Sequence, residues 1–373
     1  MKIVIIGGGV MGTAIAHELA GPGFEIVILE RAIPGAEAST AAAGMLAPQL
    51  EAQAPGPMLE LSMRSRGLYP AWARTLSAES GLDVAYLESG ALQLAYTEAQ
   101  AHDLDALVAW QQAMGLRATL LAGPEVCALE PNVSPEVVAA AHFPDDHQVD
   151  PKKLMQALSA AVARKGVTFR TGYARRLLEE NGAVTGVDLD GESLHADLTI
   201  VAAGSWSSLL PGAAIDPKHL KPARGQMVEL ALRLPPVKHL LKSGLGYVVP
   251  RSDGHVICGT TVELAGYDKR VTAEGLATVL AQAMRACPML KDATVIDSWA
   301  GLRPWTEDSL PLLGFGHLKN LVIASGHHRN GILLAPITAK LVGQLVRGER
   351  PSVDLSPFRP ARFSEPGRTV SPS

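Results

Sequence analysis

Seven consecutive residues, Ser325-Gly326-His327-His328-Arg329-Asn330-Gly331, bring together two histidines, an arginine and two glycines. The apolar run 321–324 before them reads as a buried strand, and the apolar-periodic run 337–346 after them reads as a helix. The polar groups therefore fall at a helix start near Gly331, where backbone N–H groups lack partners and carry positive partial charge. Gly326 and Gly331 let backbone come close to a ligand. Such a place suits a flat, electron-rich ring that becomes negative during a reaction.

A second constellation sits at the N-terminus. Gly7, Gly9 and Gly12 form GxGxxG directly after the strand-like run 2–6 and before the helix-like run 13–20. Glu30 ends the next strand, 25–29, 18 residues past Gly12. Gly7 makes the tight turn, Gly9 lets backbone meet a pyrophosphate, and Gly12 lets helix and sheet pack closely. Glu30 accepts ribose hydroxyl hydrogen bonds. The spacing predicts a dinucleotide site without separating NAD from FAD. An acid at position 30 disfavours a 2′-phosphate, whereas Arg31 is either a phosphate contact or a solvated charge.

Arg303, in Gly301-Leu302-Arg303-Pro304, offers a planar fork that matches a carboxylate. Its plainer reading is a surface ion pair. Tyr247, in Gly246-Tyr247-Val248-Val249-Pro250, is either strand filler or a second donor to the same carboxylate. Arg329, among glycines at a helix start, points to the same site, the plainer reading being a pair with an acid. His327 and His328 have no Cys or His partner at metal spacing, so no metal is expected. One of the two reads as structural, bonding loop backbone. Asp145, Asp146 and His147 read as a turn before the helix that Asp150 caps, with Pro151 at its first position. Tyr69, Trp72 and Trp110 read as core. No Gly-x-Ser-x-Gly elbow or HExxH occurs, which leaves hydrolase chemistry without support.

These residues need a scaffold of two styles. Residues 2–30 make one βαβ unit, and 167–170 and 198–204 read as further strands of the same kind. Residues 59–80, 98–114, 151–165 and 273–287 read as helices, and 90–96 as a strand. Between 226 and 261, short strands separated by Pro, Gly, Ser and Asp turns predict an antiparallel sheet. Residues 297–316 read as loop. Residues 39–47 carry nothing bulky or charged, which predicts close packing against a ligand or a sheet. The fold class is α/β: a Rossmann-like nucleotide domain interleaved with an α+β substrate domain built on an antiparallel sheet. The expected division gives 1–75, 145–215 and 296–363 to the first, 76–144 and 216–295 to the second, and 364–373 to a flexible tail.

The 373 residues suit two domains. Hydrophobic content of 47%, charged content of 19% and a net charge of −4 describe a globular chain and argue against a nucleic-acid surface. No apolar run reaches the ~18 residues of a membrane span. Cys127, Cys258 and Cys287 are widely spaced, read as buried thiols, and suit the cytoplasm.

Together these pieces resemble the D-amino-acid oxidase family of flavoproteins, most of all its members that oxidise glycine for thiamine biosynthesis. The likeness spans nearly the whole chain. Besides the N-terminal fingerprint it rests on Ser39-Thr40-Ala41-Ala42-Ala43-Gly44-Met45-Leu46-Ala47-Pro48, on Ala300-Gly301-Leu302-Arg303-Pro304 with Leu310-Pro311-Leu312-Leu313-Gly314, and on Gly326 through Pro336. The resemblance implies FAD, held non-covalently. It assigns pyrophosphate and adenosine contacts to Val10, Met11, Glu30 and Arg31, and an adenine contact to Ala174. Flavin contacts fall to Ala38, Ser39, Ala43, Gly44 and Met45, and to His327, His328, Arg329, Asn330, Gly331, Ile332 and Leu333. Arg303, Arg329 and Tyr247 match substrate contacts. Val262 stands where a methionine can line the pocket, His328 where another aromatic is common, and Trp305 where a small residue is common.

The resemblance also implies an activity: oxidative deamination of glycine, sarcosine or short D-amino acids to an imine or 2-oxo acid, with oxygen reduced to hydrogen peroxide. Two other readings stay open. One is a D-amino-acid or sarcosine dehydrogenase with an acceptor other than oxygen. The other is a non-catalytic FAD-binding subunit. The implied partners are a small amine and oxygen, with no nucleic acid and no membrane, in a dimer or tetramer of identical chains.

Overall fold

The computed structural model describes residues 1–364. The expected tail therefore lies, past Ser364, outside the described residues. The β-branched run Lys2–Ile6 sits inside a six-stranded sheet ordered Leu312–Phe315, Leu321–Ser325, Leu198–Val201, Lys2–Ile6, Glu25–Glu30, Thr168–Thr171. The first pairing is antiparallel and the other four are parallel. Alternation along Lys2–Ile6 sends side chains to two cores. Ile3 and Ile5 pack with the helices Val10–Leu19, Pro151–Arg164 and Gly331–Val346, whereas Val4 and Ile6 face Leu177, Val184 and Leu194.

Those last three residues belong to a three-stranded sheet, Arg176–Glu180, Ala183–Asp188 and Ser193–His195, that the sequence reading did not foresee. A local signal was available. Asn181 and Gly182, both at positive φ (51° and 74°), form the two-residue turn of a tight hairpin. The expected fold class holds, with the refinement that one face of the parallel sheet is covered by strands rather than helices.

The antiparallel sheet has eight strands in the order Thr294–Thr306, Leu220–Ala231, His255–Gly259, Gly246–Pro250, Leu240–Ser243, Ala91–Ala95, Ala139–Phe143, Thr119–Ala122. Only Leu240–Ser243 and Ala91–Ala95 run parallel. Residues 297–316 are thus not a loop: Thr294–Thr306 pairs along Leu220–Ala231, and Leu312–Phe315 closes the other sheet. Pro304 hid the first strand. It lies on an edge, opposite Pro222 and beyond the stretch of Leu220–Ala231 that pairs with His255–Gly259, so neither missing N–H breaks a central ladder. The same finding moves Thr294–Thr306 into the substrate-side sheet, although the expected boundary fell at 296.

The expected helices appear as Pro57–Ser80, Glu98–Ala113, Pro151–Arg164 and Ala273–Ala286. Asp150 caps the third, accepting from Lys152 and Lys153 N–H. The last helix starts at Gly331, where the sequence placed a helix start, and contains Pro336. Proline has no N–H to give the carbonyl four residues earlier. Here that carbonyl belongs to Ile332, and the hydroxyl of buried Tyr69 donates to it instead. One turn away, Ser65 donates to the Leu333 carbonyl at 2.6 Å. Tyr69 is core, as expected, while Trp72 and Trp110 are half-buried.

Replacing Tyr69 by Phe keeps the ring and orphans the Ile332 carbonyl. Urea unfolding should show a loss of about 1–3 kcal/mol. An unchanged midpoint would mean the carbonyl has another partner.

Candidate active site

A solvent-open cleft receives residues from both large sheets. Gly7, with φ +109°, turns the chain at its wall. A Cβ there would lie 2.5 Å from the Ala202 carbonyl oxygen, and one on Gly12 would lie 1.9 Å from that of Gly7. Only glycine fits either place. Gly12 therefore packs helix to turn and does not line the cleft, whereas Gly7, Gly9, Val10 and Met11 do.

Glu30 accepts from Gly8 N–H at 2.8 Å and from Ala32 N–H at 3.1 Å, which fixes its carboxylate at the cleft wall. Ser39 Oγ accepts from Val10 N–H at 2.9 Å and so ties segment 38–45 to the first helix start. Arg31 lies over the Trp206 ring, 4.0 Å from its centroid, and pairs with Glu37. The helix Gly331–Val346 starts at the cleft with no side-chain cap. Two polar atoms of the lining, His328 Nε2 and Ser205 Oγ, are buried without a hydrogen-bond partner. A glycine turn, an acid after the second strand, an uncapped helix start and orphaned polar atoms together fit a dinucleotide such as FAD.

Away from Glu30, the antiparallel sheet supplies the cleft wall. Tyr247, Gly259 and Met227 stand in one row across three neighbouring strands. The tyrosine ring crosses Gly259, where a Cβ would come within 2.4 Å of it, and its hydroxyl donates to Met227 Sδ at 3.1 Å. Arg303 uses the same device. Its guanidinium lies over Gly225, where a Cβ would meet Nη1 at 1.9 Å. It donates to Thr260 Oγ1 at 2.7 Å and to the Thr261 carbonyl at 3.3 Å, both neutral oxygens.

Arg329 differs. Its Nη2 meets Glu51 at 2.7–2.8 Å, and Lys242 approaches the same carboxylate at 3.4 Å. Burial opposes charge on Glu51, but Lys242 and Arg329 outweigh it and hold its carboxyl below the usual range. Burial raises the Tyr247 phenol, with Arg303 and Arg329 pulling the other way, so the phenol stays protonated. Burial also drives both histidines down to about 3. His327 bonds Thr338 Oγ1 at 3.1 Å, so it is the structural one, through a side chain rather than loop backbone. His328 holds φ +47°, rare without glycine, and presents its ring to the cleft beside the two arginines.

Of the residues singled out in sequence, Ala38, Ala43, Gly44, Met45, Ala174, Gly331 and Ile332 also line the cleft. Three do not. Leu333 points into the helical core, Asn330 only precedes the helix, and Val262 is 42% exposed on a loop away from the lining. Sequence reasoning missed Gly225, Gly259, Thr260, Met227, Glu51 and Trp206. Of Asp145-Asp146-His147, only Asp145 lies in a turn; His147 begins the short strand His147–Gln148, and Asp146 is fully buried. It accepts from Leu50 N–H at 2.8 Å and Arg66 at 2.7 Å, steadying the short helix Pro48–Glu51 that carries Glu51. Among the described residues no group of three or more His, Cys, Asp or Glu is placed to hold a metal ion. No described helix is long and apolar enough to cross a membrane.

The family described as FAD dependent oxidoreductase matches residues 2–345, and the chain belongs to it. Glycine oxidase of Geobacillus kaustophilus is 34% identical over 359 residues, covering 95% of each chain. The crystal structure of glycine oxidase from that organism superposes with a TM-score of 0.93, over 97% of this chain and 99% of that one. Iminodiacetate oxidase from Chelativorans sp. is 28% identical, with a TM-score of 0.87 over 96% and 98%. A bifunctional ThiO/ThiG protein of Synechocystis sp. is 38% identical over 97% of this chain, which spans only 54% of its length.

The two histidines give stability a sign with pH. Unfolded, each titrates near 6.5; folded, near 3. As pH falls below 6.5 the unfolded chain takes up protons that the folded one refuses, so stability declines. Melting temperature should drop from pH 7 to 5.5, and His328→Gln should shrink that drop. An equal drop in the variant would contradict a neutral, buried His328.

Proposed function

We propose that this FAD-dependent enzyme oxidises glycine and other small amines, sarcosine and short D-amino acids among them, with oxygen as acceptor. The observation that carries the reading is a cleft arginine, Arg303, bonded only to neutral oxygens next to a protonated tyrosine. A guanidinium fork of this kind fits a substrate carboxylate through two parallel hydrogen bonds, and Tyr247 adds a third donor. Arg329, engaged by Glu51, contributes field and shape rather than a free fork. The names of the G. kaustophilus relatives support the choice of glycine.

FAD, when bound, accepts two electrons from the amine and passes them to oxygen, releasing hydrogen peroxide. Gly7, Gly9, Val10 and Met11 would hold its pyrophosphate, Glu30 its ribose, and segment 38–45 its ring. The helix start at Gly331 would meet negative charge on that ring with N–H donors. Among the described residues, no group around Arg303 is suited to be a base. Tyr247 stays protonated, both histidines are very weak bases, and Glu51 is occupied by two cations. The substrate's amine therefore loses its proton to solvent, and its own lone pair drives the oxidation. The chain's part is to orient the substrate.

The imine product hydrolyses to a 2-oxo acid or feeds the thiazole moiety of thiamine. The bifunctional relative, in which a region like this chain accompanies a second activity, supports that destination. The three free thiols suit a cytoplasmic enzyme, and we propose that it works as a dimer or tetramer of identical chains.

The purified protein should be yellow. Glycine, sarcosine, D-alanine or D-proline should bleach it anaerobically, and air should restore the colour and yield peroxide. A yellow protein that none of the four bleaches would overturn the reading. Arg303→Ala should raise KM for glycine by about a hundredfold, and Gly225→Ala, by displacing the guanidinium, by about tenfold, with FAD retained in both. Normal KM in Arg303→Ala would remove Arg303 from substrate binding.

A further inference from the structure

Segment 38–45 lies against the face of the antiparallel sheet that carries the substrate side chains. Ala43 belongs to the same apolar cluster as Tyr247, Val249, Met227 and Ile257. A Cβ on Gly301, two residues before Arg303, would lie 2.8 Å from Ala41 Cβ. Two side chains of that face reach the segment's backbone. Trp299 Nε1 donates to the Ala41 carbonyl at 3.0 Å, and Arg251 Nη2 donates to the Ala43 carbonyl at 2.7 Å.

Arg251 is an unusual choice for this task. It is 9% exposed, and its hydrogen bonds all go to neutral oxygens: Ala43 O, Gln148 Oε1 at 2.8 Å and Val149 O at 3.3 Å. Asp150, Asp253 and Glu229 act on it only through space. A buried cation without a bonded acid opposes folding unless its hydrogen bonds are well made. Here the fork joins three pieces of chain. Ala43 belongs to the cleft wall, and Gln148 and Val149 lead into the helix Pro151–Arg164. Arg251 itself follows the strand that bears Tyr247, in the same alternation. Gly44 completes the grip: a Cβ on it would lie 1.9 Å from the Val149 carbonyl oxygen.

We infer that Arg251, with Trp299, is a positioning residue that fixes segment 41–45 against the substrate-bearing sheet face and so sets the spacing between cofactor and amine. Arg251 touches neither. Its removal loosens the cofactor wall while leaving Arg303 and Tyr247 in place. The signature is weaker FAD binding and slower turnover at nearly constant KM.

The inference rests on the amine-oxidase reading for its kinetic arm only; FAD binding and the flavin spectrum need no substrate. The test compares wild type, Arg251→Met, Arg251→Lys and Trp299→Phe by titration of apoprotein with FAD, by the visible spectrum, and by kcat and KM for glycine. Arg251→Met should weaken FAD binding and lower kcat by about tenfold each, with KM little changed, and Arg251→Lys should recover part of both. FAD affinity and kcat equal to wild type, or a change confined to KM, would overturn the inference. If Arg251→Met does not fold, Trp299→Phe decides: weaker FAD binding supports the clamp, and unaltered binding refutes it. A wild type that binds FAD but oxidises no amine would defeat the functional reading, while the FAD titrations still judge the clamp.

Discussion

A half-buried guanidinium with no acid bonded to it has unmet demand, and the substrate side of this cleft is organised around one. Burial holds Arg303 below the usual arginine range, and nothing ionic in its own strand relieves it. Every neighbour serves to keep that fork available. Gly225 makes room for its plane, Thr260 and Thr261 accept from its rear, and Glu51 is spent on Arg329 and Lys242 instead. The unmet demand of Arg303 is what an incoming carboxylate satisfies.

Both helix starts at the cleft obey a second constraint, that backbone must come close without side chains in the way. At Val10–Leu19 the glycines at 7 and 12 achieve it, each against a carbonyl that would strike a Cβ. At Gly331–Val346 the means is less direct. Pro336 leaves a carbonyl of the first turn free, and Tyr69 and Ser65 pin that turn from a neighbouring helix. The helix end is thereby held by groups lying away from the ring it faces.

The cofactor half was largely legible in sequence because its demands are local. A glycine turn, a following helix and an acid after the next strand lie within thirty residues, and each has its own physical reason. The substrate half was legible only in its polar tips, Arg303, Tyr247 and Arg329. Their supports come from far along the chain: Gly225 faces Arg303, Gly259 faces Tyr247, and Glu51 faces Arg329. A glycine that makes room for a distant side chain looks, in sequence, like any turn glycine. Val262 failed for a related reason, since matching position in sequence does not give the direction of an exposed loop. Thr294–Thr306 was hidden by a proline that an edge strand tolerates.

The cleft's lining is drawn from residue 6 through residue 332, with long excursions between. Its surface is complete only after both sheets have formed and the chain has crossed between them repeatedly, which is a slow, high-contact-order route. FAD would therefore recognise the finished fold and not its parts. Any free energy of that binding adds to the stability of the folded state by mass action. The stability of the polypeptide would then rise and fall with cofactor supply, a dependence built in by a lining gathered from so much of the chain.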